Sequence, residues 1–237
     1  MQNPLTDFIR EAVKRVPEVI PYLTEQARGI ALKSQGDYEA EITALVALLV
    51  AGSITAAVFE TRYNAIIDQY IDEAWDAGAA GEYLDDPALM AELDALKVEE
   101  KSHVAAFAVA IIAAGAITAG IASRISLWAN TYAEAKNVAT LKVSVKNNVM
   151  LQWVYGDTIQ HCSTCAACAG VVAGALEWEG LAELGITPQG ADLECGGWRC
   201  LCSLQVADGK RTPPDGVTLE DYIIGKMTKA VKGGEGI

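Results

Sequence analysis

The chain has 237 residues, of which 51% are apolar, and it carries a formal charge of −13 with a pI ≈ 4.6. That length holds one or two domains with a sizeable core, and the acidic balance argues against a nucleic-acid-binding surface as the main business. Nothing in Met1-Gln2-Asn3-Pro4 or the mixed charges after it follows the pattern of a signal peptide, so disulfides are not expected.

Residues 4–34 read as helix, with Leu5, Phe8, Ile9, Ala12, Val13 and Val16 at three-to-four spacing and with Pro17 and Pro21 as interruptions. This opening segment is either an arm docking on another subunit or an ordinary packed hairpin. Residues 38–77 then read as one long helix carrying Ile42, Leu45, Leu49, Phe59, Tyr63, Ile66, Tyr70 and Trp75. A break over 78–87 follows, and helix resumes at Ala88. Two stretches, 42–59 and 104–123, contain no charged residue and are weighed as a membrane hairpin. Their richness in Ala and Gly and the acids flanking the first favour instead a buried antiparallel pair, whose small residues permit close backbone approach. Acids dominate residues 35–100, opposed only by Arg62 and Lys97, whereas Lys136, Lys142 and Lys146 follow later. Both are expected to be solvated faces, with docking onto a basic partner or phosphate as the functional alternative. No internal repeat is expected.

All six cysteines fall between Trp153 and Leu204. Cys162-x2-Cys165-x2-Cys168 follows an expected strand over 150–155, and Cys195-x4-Cys200-x-Cys202 leads into another over 199–206. Two separated pairs of thiolates are the pattern of a tetrahedral zinc site. The expected ligands are Cys162, Cys165, Cys195 and Cys200, with Cys202 the alternative to Cys200, and His161 is placed beside the ion rather than on it. Competing readings are an iron–sulfur cluster on Cys162, Cys165 and Cys168 with Cys195 as fourth ligand, a redox Cys-x2-Cys, and unliganded buried thiols. Cys168 is expected in the core, on a helical turn with Ala166, Ala167 and Val171.

The run Trp153-Val154-Tyr155-Gly156-Asp157-Thr158, His161-Cys162-Ser163-Thr164-Cys165, Trp178, Gly185-Ile186-x-Pro188 and Leu193-x-Cys195-x-Gly197-x2-Cys200-x-Cys202-x-Leu204 resembles the cysteine-rich end of tailed-bacteriophage minor head proteins. These form the phage head morphogenesis family typified by the minor head protein of phage Mu. The resemblance extends upstream through Leu127-Trp128-Ala129-Asn130 and covers roughly residues 124–214. It departs at Cys195, which stands where typical members carry a histidine. The resemblance implies a structural virion protein near the portal, with portal and capsid proteins as partners, located in the virion and, during assembly, in the host cytoplasm. The alternative is a virion ejection protein inserting its two Ala-rich helices into the host membrane.

The expected architecture is mainly α. It comprises a helical arm over 1–36, a helical domain of long antiparallel helices over 37–148, and a small α+β cysteine-rich zinc module over 149–207. A linker and C-terminal helix, opened by Thr218 as cap, occupy 208–237. Catalysis finds no motif: His103 and His161 are the only histidines, and a closed cysteine site leaves no position for a reactive water.

Overall fold

The computed structural model describes residues 35–80, 86–156, 161–190, 193–195 and 200–232, so the expected N-terminal helix over 4–34 lies outside the described residues. The fold is mainly helical, with a small three-stranded antiparallel sheet and a cluster of cysteines toward the C-terminal end.

The expected helix over 38–77 is two helices. Helix α1 covers residues 35–50 and buries Tyr38, Ile42, Leu45, Val46 and Leu49. Helix α2, Ala56–Ala79, runs back along it and buries Phe59, Tyr63, Ile67, Ile71 and Trp75. The two are antiparallel, and Tyr38 stacks on Tyr70 with ring centroids 4.7 Å apart. The reversal has a local cause. Gly52 takes a left-handed conformation (φ 67°), open to a residue without a Cβ, and Thr55 caps α2 by accepting from the Val58 N–H at 3.3 Å.

The second uncharged stretch breaks in the same way. Helix α3, Pro87–Ser102, opens with Asp86 as cap and proline in its first turn. It passes through His103 into α4, Val104–Ala114. Gly115 (φ 62°) then turns the chain, and Thr118 caps α5, Ala119–Lys146, by accepting from the Ile121 N–H at 3.3 Å. Set side by side, Ala51-Gly52-Ser53-Ile54-Thr55-Ala56 and Ala114-Gly115-Ala116-Ile117-Thr118-Ala119 are one motif used twice. The likeness extends over six residues only.

Each uncharged stretch is thus the tip of a helical hairpin, not a straight span. No described helix is long and apolar enough to cross a membrane. The four legs run up, down, up (α3 and α4 in line) and down. Helices α2 and α5 lie parallel, with Tyr63 5.0 Å from Trp128 toward their N-terminal ends and Gly78, at the end of α2, against Lys136 in the middle of α5. A Cβ on Gly78 would sit 2.3 Å from the Lys136 carbonyl oxygen, so this crossing requires glycine. Both tips therefore share one end of the body, where Leu48, Val58, Val109, Ile112 and Ile117 are exposed.

The charge asymmetry of the sequence resolves partly within the fold. Lys97 and Lys101 of α3 pair with Asp72 and Asp68 of α2. Lys142 of α5 reaches Glu92 at 3.1 Å and Glu179 at 3.2 Å, and Lys146 reaches Asp86 at 3.0 Å.

Beyond α5, strand β1 (Met150–Val154) pairs antiparallel with β2 (Val172–Gly174) on one side and β3 (Ser203–Val206) on the other, with Leu151 opposite both Ala173 and Val206. The expected second strand is shorter than predicted: Cys200 and Cys202 precede it, outside the sheet. Helices α6 (Ser163–Cys168) and α7 (Ala175–Glu183) and the C-terminal α8 (Leu219–Lys232) surround the sheet. Thr218 caps α8, accepting from the Asp221 N–H at 3.0 Å. Arg211 holds the linker before it, bonding Glu177 and the carbonyls of Pro213, Pro214 and Val217.

A second core gathers Leu151, Trp153, Cys168, Val171, Trp178, Leu181 and Leu204 with Leu141 of α5 and Leu219 and Ile223 of α8. The cysteine-rich segment lacks enough large apolar residues of its own, and the neighbouring helices supply the rest. Helix α5 serves both cores, since its Ala135, Ala139 and Val143 belong to the first.

Two carboxylates of the body sit in unusual surroundings. Burial pushes Glu100 up to about 7 against hydrogen bonds from Trp128 and Thr131, and burial plus the charges of Glu100 and Glu99 pushes Glu134 up to about 7. Such a group favours folding in its protonated form. Its contribution is complete below the unfolded-state value near 4.5 and is lost as pH rises through about 7. Glu100→Gln should therefore stabilise the protein by about 2 kcal/mol at pH 8 and by little at pH 4.5. Thermal unfolding followed by circular dichroism at the two pH values checks this; equal gains at both would contradict it.

Candidate metal centre

Three backbone segments bring the thiols together. The first is the entry to α6, where Cys162 is the cap and its sulfur accepts the Cys165 N–H at 3.4 Å. A Cys-x2-Cys turn closed by its own N–H···S bond aims both sulfurs at one point. The second is the short segment 193–195. Glu194 joins it to α6, accepting from the Ser163 hydroxyl, from Thr164 Oγ1 at 3.0 Å and from the Thr164 N–H at 3.4 Å. Despite the cost of burial, bonds from Ser163, Thr164 and Cys162 hold the Glu194 carboxyl down at about 2, so it stays ionised.

The third segment, 200–202, is set by two buried amides. Gln189, itself in a left-handed conformation (φ 61°), donates to the carbonyls of Cys200, at 2.8 Å, and Cys202. Asn137 on α5 donates to the Gln189 side-chain oxygen and to the Cys202 carbonyl, and its own oxygen accepts the Leu204 N–H at 3.0 Å. On the opposite side Gly156 lies against Leu201, and a Cβ there would meet the Leu201 carbonyl carbon at 2.1 Å. Only glycine lets the two segments come so close.

The resulting cluster contains Cys162, Cys165, Cys195, Cys200 and Cys202, and it could hold a metal ion. All six cysteines of the chain are unbridged. Cys165 Sγ and Cys200 Sγ are 3.7 Å apart, far beyond a disulfide bond. Two sulfurs each about 2.3 Å from one tetrahedral ion would lie about 3.8 Å apart. The Cys165 sulfur and then that of Cys202 bond to Cys200, as do the N–H groups of Cys202 and Gln189, and together they hold Cys200 far below the usual thiol range. The same contact with Cys200, and then that with Cys202, pushes the Cys165 thiol up.

The five thiols fall into two groups of three, Cys162–Cys165–Cys195 and Cys165–Cys200–Cys202, each with all its sulfurs within 4.8 Å of one another. Cys200 and Cys202 both lie with Cys165 in the second group. Cys168 is in neither group. It is fully buried in the second core, where burial pushes its thiol up to about 12. The ferredoxin-like run Cys162, Cys165, Cys168 does not converge. His161 stacks on Tyr155 with centroids 3.9 Å apart, and its Nδ1 is 3.8 Å from Cys202 Sγ. The turn expected from Gly196-Gly197 lies outside the described residues.

No family model, curated protein or solved structure matches the chain.

Sequence reasoning missed Asn137, Gln189 and Glu194. Asn137 was visible only as a polar residue on the stripe of α5 that carries Leu141 and Ser144, opposite the one that carries Ala135 and Ala139. Replacing Asn137 with Ala strips partners from Gln189 and the Leu204 N–H and should cost about 2–3 kcal/mol. Metal affinity should fall about 10-fold or more, because the Cys200–Cys202 segment loses its support. Denaturant unfolding and competition with a chromophoric chelator measure the two effects; unchanged affinity would show that the amides serve the fold alone.

Proposed function

We propose that the chain is a non-catalytic structural protein in which a zinc-bound cysteine module is anchored to a helical body, acting as a minor head component of a tailed phage. The observation that carries this reading is the convergence of five thiols from three backbone segments. Thiolates are zinc's preferred structural ligands, and a sulfur-rich, largely buried site stabilises a fold rather than activating water.

The residues on which the family resemblance rests also have structural work in this module, which supports the reading. Trp153 and Trp178 pack 5.8 Å apart, and the Trp178 N–H donates to the Leu151 carbonyl at 3.1 Å. Gly156 allows the close approach to Leu201, and Gly185 (φ 80°) turns the chain after α7 toward Gln189. In such a role the zinc module would be a rigid docking element and the acidic body would face basic subunits of the portal or capsid.

Elemental analysis of purified, reduced protein should find zinc and no iron. Chelation should then collapse the near-ultraviolet signal of Trp153 and Trp178 while most helical circular dichroism persists, because the first core contains no thiol. Iron in place of zinc, or a module indifferent to chelator, would overturn the assignment.

One observation favours a second reading, in which the protein is a virion ejection factor that contacts the host membrane. The paired hairpin tips are uncharged and expose Val109, Ile112 and Ile117. Co-expression with portal and capsid proteins, followed by sedimentation, is expected to carry the chain with the particle. Flotation with phospholipid vesicles but absence from particles would reverse the ranking.

A further inference from the structure

Five thiols are more than one tetrahedral ion takes. Their arrangement, moreover, is not four sulfurs around a point with a fifth to one side. It is two corners that share Cys165. The inner corner consists of Cys165, Cys200 and Cys202, all buried, with the His161 imidazole next to Cys202. The outer corner consists of Cys162, Cys165 and Cys195, of which Cys162 and Cys195 are partly exposed.

We propose that the cluster is a two-ion centre for zinc or a similar closed-shell divalent cation, in which the Cys165 sulfur bridges an inner ion bound by Cys200, Cys202 and His161 and an outer ion bound by Cys162 and Cys195. This deepens the zinc reading and rests on it. A thiolate keeps lone pairs after binding one ion, so a shared sulfur is chemically available to the second. Cys165 is placed for that role, as the only cysteine common to both groups, with its sulfur 3.7 Å from that of Cys200.

The inner corner then has three sulfurs, and the His161 nitrogen, 3.8 Å from Cys202 Sγ but outside the group of three, has to move toward Cys165 and Cys200 to complete a tetrahedral set. Tyr155, stacked on His161, fixes the plane of the ring. The outer corner has three sulfurs, and its fourth position faces the partly exposed side, where water can fill it. Charge supports two ions over one. Five thiolates around two divalent cations leave one net negative charge, whereas four thiolates on a single cation leave two. Loading two ions displaces the thiol protons, up to about five, into solvent.

The test uses the full chain, reduced, loaded with zinc chloride or cadmium chloride, desalted and analysed for metal per folded chain. About two ions per chain are expected in the unaltered protein, and about one in each of Cys195→Ser and Cys202→Ser. Cadmium-113 resonance should show two signals at different shifts, coupled to each other through the bridging sulfur. The wild-type ratio needs no variant to fold, and helical circular dichroism identifies variants that have lost their structure. One ion per wild-type chain would overturn the two-ion centre while leaving the zinc reading in place. No ion at all would overturn both.

Discussion

The contact between Asn137 and Gln189 is the constraint on which the rest of the structure depends. Two primary amides, buried and 52 positions apart, satisfy each other and the carbonyls of Cys200 and Cys202. Each polar atom left without a partner there would cost about 1–3 kcal/mol, so the pair specifies where the last two thiols can lie. Because Asn137 belongs to α5, the same contact ties the cysteine cluster to the helical body. Gly156 closes the cluster from the other side by admitting Leu201.

Much of the fold is legible in the sequence because it follows local rules. The spacing of Tyr38, Ile42, Leu45 and Leu49 marks a buried helical stripe, and Thr218 with Asp221 marks a helix start. The hairpin tips were harder to read for a physical reason. Alanine-rich runs on both sides of Gly52 and Gly115 continue the helical pattern, so hydrophobic periodicity does not register a reversal. The informative signal was the pairing of each glycine with a threonine three positions later, read as a repeat.

The candidate site was legible in composition and illegible in grouping. Spacing alone marks Cys162 and Cys165 as a pair and places Cys168 in the core. It cannot show that Cys165 is shared by two sets of sulfurs, because that depends on how the chain returns after α7. Lys142 and Lys146 illustrate the same limit: they read as a free basic stretch, yet Glu92, Glu179 and Asp86 come to them only through tertiary packing.

Helix α5 is a single spar of 28 residues, about 42 Å long at 1.5 Å per residue. After Gly120 it contains neither glycine nor proline, so nothing in its sequence offers a hinge. One end emerges from the apolar hairpin tip, Gly78 is pressed against its middle, and Asn137 projects from it toward the cysteines. The hairpin tip and the amides that position Cys200 and Cys202 are therefore carried on one continuous helix.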